Sequence, residues 1–140
     1  MSVILRQALR SDVAAMHAVR MSVRENRLQS VVLAEDDYIH AIEVTGTGWV
    51  IEAEGRVVAF AVGNASNGNV WALFVHPDHE RRGYGRQLHD RLVSSLREQG
   101  RKHLWLTTGP GTRAEMFYLS AGWKRTCMTD SGEVRLELTL

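Results

Sequence analysis

The sequence predicts a single α/β (α+β) domain over residues 1–140, built from about seven strands and about four helices. Strand-like and helix-like apolar periods alternate along the chain. The unbroken apolar run Val70-Trp71-Ala72-Leu73-Phe74-Val75 empties into a basic, doubly glycinated turn that opens a long amphipathic helix. A chain of 140 residues that is 44% hydrophobic suits one core and offers no room for two.

Val3 to Gln7 reads as a first strand, and Ser11 or Asp12 can cap a helix carrying Val13, Met16, Val19 and Val23 on one side. A second helix covers Glu35 to Val44. Trp49 to Ala53 and Arg56 to Val62 form a hairpin across Glu54-Gly55. The run Val70 to Val75 reads as a strand covered on both faces, and Pro77 stops it. Tyr84, Leu88, Leu92 and Leu96 then recur at helical spacing, with Arg86, Asp90, Arg97 and Glu98 on the wet face and Gly100 as a stop. His103 to Thr107 is another strand, and Thr112-x-x-Glu115 is a capping box that introduces a further helix. The chain closes with a strand from Lys124 to Thr129, a turn at Asp130-Ser131-Gly132, and the alternating Val134, Leu136, Leu138, Leu140 of a half-buried strand.

A formal net charge of +1 with 24% charged residues gives no general drive toward nucleic acid or anionic membrane. Cys127 is the single cysteine, so neither an intramolecular disulfide nor a Cys metal cluster is expected. No H-x-x-x-H or H-E-x-x-H spacing suggests a metal. The first residues lack a signal-type apolar stretch, and no segment approaches the ~20 apolar residues of a membrane span. A cytoplasmic protein without metal is the expectation.

The basic character is local, at Arg81-Arg82-Gly83-Tyr84-Gly85-Arg86. A helix start leaves backbone N–H groups unpaired and adds partial positive charge, so it attracts anions. Gly83 and Gly85 let a pyrophosphate approach the main chain, and Arg81, Arg82 and Arg86 raise the local potential. A plain strand-to-helix turn with solvated arginines would use the same residues. The dinucleotide fingerprint G-x-G-x-x-G fails because position 88 is Leu88, and the Walker A pattern fails because no Lys precedes Lys102.

Two segments together resemble the GCN5-related N-acetyltransferase (GNAT) superfamily. Val75-His76-Pro77 followed by Gly83-Tyr84-Gly85 is similar to its central strand-turn-helix motif, and Ala114-Glu115-Met116-Phe117-Tyr118-Leu119-Ser120-Ala121-Gly122-Trp123 to its A-x-x-F/L-Y-x-x-x-G-F segment. The resemblance covers nearly the whole chain. It departs at Glu80, where Gln or Arg is usual, and at Gly111, where Asn is frequent. It implies a single GNAT domain with a mixed central sheet, and an acetyl-CoA-dependent N-acetyltransferase that transfers an acetyl group to a small-molecule or peptide amine by direct attack in a ternary complex. By resemblance, Leu73, Phe74 and Val75 pair with the pantetheine arm, and the turn Arg81, Arg82, Gly83, Tyr84, Gly85, Arg86 holds the pyrophosphate.

The same resemblance places Tyr118 beside the CoA sulfur, as thiolate stabiliser or general acid. Reference pKa values of about 10 for Tyr and about 8.5 for a thiol make full proton transfer uphill by roughly 2 kcal/mol, which favours a hydrogen bond. Helical spacing of Ala114, Phe117, Tyr118 and Ala121 would equally suit a core position. Glu25 and His76, with Asp36 and Asp37, are candidate bases. The other histidines read as solvated or capping, and Trp49, Trp71, Trp105 and Trp123 as core, with Trp71 nearest the site. A non-catalytic acyl-CoA-binding module is the alternative, kept open by Glu80 and Gly111. The alternating terminal strand leaves an edge that a second copy, as in a homodimer, could cover.

Overall fold

The computed structural model describes residues 2–23 and 35–140. Among them, seven strands and four helices follow in the expected order: β1 (Val3–Gln7), α1 (Val13–Ser22), α2 (Glu35–Glu43), β2 (Gly46–Ala53), β3 (Arg56–Asn64), β4 (Val70–Val75), α3 (Tyr84–Glu98), β5 (His103–Thr108), α4 (Arg113–Ser120), β6 (Lys124–Met128) and β7 (Val134–Thr139). Short 3-10 turns, Arg10–Asp12 and Pro77–His79, precede α1 and follow β4.

The strands form two antiparallel sheets, ordered β1-β2-β3-β4 and β5-β7-β6. Their only pairing among the described residues is a parallel bridge between Asn69 and Trp105, so the mixed sheet is split along the β4/β5 seam. The joined end is pinned twice: Trp105 N–H donates to the Gly68 carbonyl at 3.0 Å, and Asn69 Nδ2 donates to the Trp105 carbonyl at 3.3 Å. Just beyond it, Val62 pairs with Ala72 and Gly63 with Val70, which leaves Trp71 as an extra residue in β4. Such a bulge bends its strand and increases the twist. Past Trp71 the two strands therefore diverge, and a cavity opens between them.

Apolar residues cover both faces of the larger sheet. On one face Ile51, Ala59 and Ala61 pack with Leu88, Leu92 and Leu96 of α3, and with Leu104, Leu106 and Leu136 of the smaller sheet. On the other, Val50, Phe60, Val62 and Ala72 pack with Met16 and Val19 of α1 and Tyr38 and Ile42 of α2. Neighbouring strand residues point to opposite faces, so a strand buried on both reads as a continuous apolar run. Each fully buried Leu or Ile side chain contributes about 1.5–3 kcal/mol of transfer free energy.

Element ends explain the small departures. α1 stops at Ser22, and Val23 is extended. Asp12 caps no helix N–H with its side chain; its carboxylate instead takes the Leu9 amide at 2.8 Å and two Arg6 nitrogens at 2.8 and 2.9 Å. β2 begins at Gly46 rather than at the expected Trp49; Gly46 and Gly48 carry no side chains that would mark a strand in the sequence. At α4 the capping box is realised in part. Glu115 N–H donates to Thr112 Oγ1 at 3.2 Å, while the Glu115 carboxylate reaches back to the Gly111 amide at 2.9 Å and also holds Arg125 at 2.7 Å.

Candidate active site

The turn after β4 is built to present main-chain donors. Arg81 and Gly83 both adopt left-handed backbone, φ 62° and 80°. That conformation costs a non-glycine residue about 1–2 kcal/mol, and at Gly83 it costs nothing comparable. Gly83 is the N-cap of α3, and the Gln87 amide makes a bond to the Gly83 carbonyl at 3.1 Å. The amides of Tyr84, Gly85 and Arg86 are thus left without an intrahelical acceptor. A Cβ built on Gly85 would meet only ordinary contacts, Phe117 at 3.7 Å, Val75 at 3.8 Å and Leu73 at 3.9 Å. Packing does not require glycine there, whereas a ligand lying on the helix start would.

A cavity of about 640 Å³ runs from this turn into the wedge between β4 and β5. One wall is Asn69 to Val75 along the free edge of β4, and the other includes Leu106, Thr107, Thr108 and Gly109 of β5 and its exit. α4 contributes Arg113, Ala114, Phe117 and Tyr118, and α1 contributes Arg20. The volume lies within the usual range for small-molecule sites.

Tyr118 lines this cavity, is 6% exposed, and has ring contacts with Phe117, Trp123 and His89. Burial pushes its phenol above the ordinary tyrosine value, which keeps it a neutral O–H donor. His89 forms the floor behind it. Trp123 Nε1–H donates to His89 Nε2 at 2.9 Å, so Nε2 is the acceptor and Nδ1 carries the proton, facing Asp90 Oδ1 at 2.9 Å. His89 is only 6% exposed, in contrast to the solvated role expected of it. The signal was present, since His89 falls three and four residues before Leu92 and Val93 on the buried face of α3.

The predicted site residues separate on inspection. Leu73, Phe74, Val75, Arg81, Gly83, Tyr84 and Gly85 line the cavity with Tyr118. Arg82 and Arg86 are not among its lining residues, and Arg86 pairs with Asp90 at 3.2 Å. His76 does not line it either; its Nδ1 accepts the Asp78 amide at 3.1 Å and caps the short turn after β4. Asp36 and Asp37 are exposed in the first turn of α2, and Glu25 lies outside the described residues. Glu80 faces Arg113 Nη1 at 2.8 Å, so the acid at the departing position is neutralised by the start of α4. Gly111 takes φ 74° and donates to Glu115.

Several lining residues were not anticipated, Arg20 and Glu133 among them. Arg20 is 9% exposed, its guanidinium 5.1 Å from the Trp71 ring and 4.9 Å from the Phe74 ring. Glu133 enters from the hairpin between β6 and β7. Both depend on packing between elements far apart in sequence.

A diverging β4/β5 pair, a donor-rich turn at the start of α3 and a buried tyrosine from α4 together line one cleft. Residues 12–123 match the model of the acetyltransferase (GNAT) family, and the chain belongs to that family. The fold is similar to PaiA N-acetyltransferase from Thermoplasma acidophilum in complex with coenzyme A, at TM-score 0.84 and 14% identity over 100% of both chains. It is also similar to the ribosomal-protein-S18-alanine N-acetyltransferase from Escherichia coli, at TM-score 0.79 and 19% identity over 99% of this chain and 94% of that one. YncA from Salmonella typhimurium, solved with acetyl-CoA, gives TM-score 0.78 at 20% identity over 100% and 95%. No curated protein matches the sequence.

Proposed function

We propose that the chain is an acetyl-CoA-dependent N-acetyltransferase that moves an acetyl group to a primary amine by direct attack, with both substrates in the cleft at once. The observation that carries this reading is the single cavity lined by the Gly83–Gly85 turn, the free edge of β4 and Tyr118.

The residues fit the donor. The free amides of Tyr84 and Gly85, with Arg81, suit a pyrophosphate, and the edge of β4 from Leu73 to Val75 suits the amides of a pantetheine arm. A main-chain N–H on the free edge of β4 would meet the developing oxyanion. Tyr118 supplies a neutral donor to the departing thiolate. Its raised pKa widens the gap to a thiol, so stabilisation by a hydrogen bond is favoured over full proton transfer. Pairing of Glu80 with Arg113 removes the electrostatic objection to an anion at that turn.

Incubation with acetyl-CoA and a panel of polyamines, amino acids and peptide N-termini, followed as thiol release, tests the reading. Amine-dependent release is expected. Thermal stabilisation by acetyl-CoA with no release on any amine would instead support a binding module.

A further inference from the structure

The reaction requires that an ammonium lose a proton before its nitrogen can attack, and none of the described candidate bases lines the cavity. The lining holds two carboxylates, Glu80 and Glu133. Glu80 is engaged by Arg113. The Glu133 carboxylate makes no hydrogen bond or ion pair among the described residues, while its main chain is fixed. Its amide donates to Thr129 Oγ1 at 3.1 Å, and its carbonyl accepts from the Thr129 amide at 2.8 Å.

Alternation along β7 sets the direction of the side chain. Val134 and Leu136 are buried in the cluster shared with α3 and α4. Arg135 points the other way, with its guanidinium 4.4 Å from the Trp105 ring. Residue 133 shares the parity of Arg135 and Glu137, so Glu133 faces away from α3 and α4. That is the side of the cleft opposite the Gly83–Gly85 turn, where an acceptor would enter if the donor occupies the turn.

We infer that Glu133 receives the acceptor ammonium and takes its proton, an assignment that rests on the transferase reading above. The carboxylate accepts one proton from the ammonium and frees the nitrogen lone pair. The N–C bond then forms and the C–S bond breaks. The remaining surplus proton on nitrogen passes to the leaving thiolate, giving amide and thiol, and Glu133 returns its proton to water. The other charged or titratable groups lining the cavity are Arg20 from α1, His79, Glu80 and Arg81 from the turn after β4, and Arg113 and Tyr118 from α4, with Tyr84 at the start of α3. Two of the cations, Arg81 and Arg113, belong to the donor side.

The test compares wild type, Glu133→Gln and Glu133→Asp in thiol release with the best amine of the panel, across pH, alongside acetyl-CoA thermal stabilisation. Loss of a general base predicts a fall in kcat/KM of about 100-fold or more for Glu133→Gln. Acetyl-CoA stabilisation should be unchanged, the deficit should shrink as pH approaches the pKa of the amine itself, and Glu133→Asp should recover part of the rate. A Glu133→Gln variant within about twofold of wild type at every pH overturns the assignment while leaving the transferase reading intact. A wild type stabilised by acetyl-CoA but inactive on every amine overturns both.

Discussion

Tyr118 lines the cavity, and its ring packs against Phe117, His89 and Trp123. A hydrogen bond to a charged group is worth about 1.5–3 kcal/mol, so Tyr118→Phe should lower kcat about 10- to 100-fold and leave acetyl-CoA stabilisation nearly intact. Equal turnover would remove the hydroxyl from the mechanism. Gly85 separates ligand fit from folding. Gly85→Ala should keep the wild-type Tm within a few degrees, since the Cβ meets only ordinary contacts, yet weaken acetyl-CoA stabilisation clearly. Undiminished stabilisation would place the donor elsewhere. At this scale the sequence singled out Tyr118 and the two glycines, which line the same cavity, because each belongs to a short local motif. Glu133 and Arg20 were invisible, since each reaches the cavity through pairing of distant segments. His89 was misread because a polar residue type outweighed its helical position.

Among the elements, α3 is tied to the segment between α4 and β6 by the bond from Trp123 to His89. Trp123→Phe leaves His89 Nε2 buried without a donor, at a cost of about 1–3 kcal/mol, and should lower Tm by several degrees. The double variant His89→Leu, Trp123→Phe should recover much of that loss, because both polar partners are then gone; additive losses would mean the bond contributes little. Acid should loosen a different pair of contacts. Asp12 is held below the ordinary carboxylate range by Arg6, against burial, and Glu115 by the Gly111 amide and Arg125. Their folded pKa values lie below the unfolded ones, so the stability they add is complete above the unfolded values, about 4, and is lost as pH falls through the folded ones. Tm should therefore drop from about pH 4 downward, and Asp12→Asn should flatten that slope; an unaltered slope would show that Asp12 is not a source of it. Element order was legible throughout, since the periods of β7 and α3 and the cap at Thr112 are local. The second half of the α4 cap was not, because Glu115 chose the Gly111 amide and Arg125.

For the molecule as a whole, the decisive feature is a sheet that parts along one seam. The strands on either side of that seam were readable, but the seam was not. A single extra residue, Trp71, sits in an apolar run with nothing in its type to mark a bulge. Opening there gives one cavity lined by the Gly83–Gly85 turn and by Glu133 and Arg20, which is why transfer is proposed to occur in a single complex of enzyme and both substrates. Initial rates measured over a matrix of acetyl-CoA and amine concentrations test this most directly. Intersecting double-reciprocal lines, with no acetylated protein by intact mass, are the predicted result; parallel lines with an acetylated protein would contradict it.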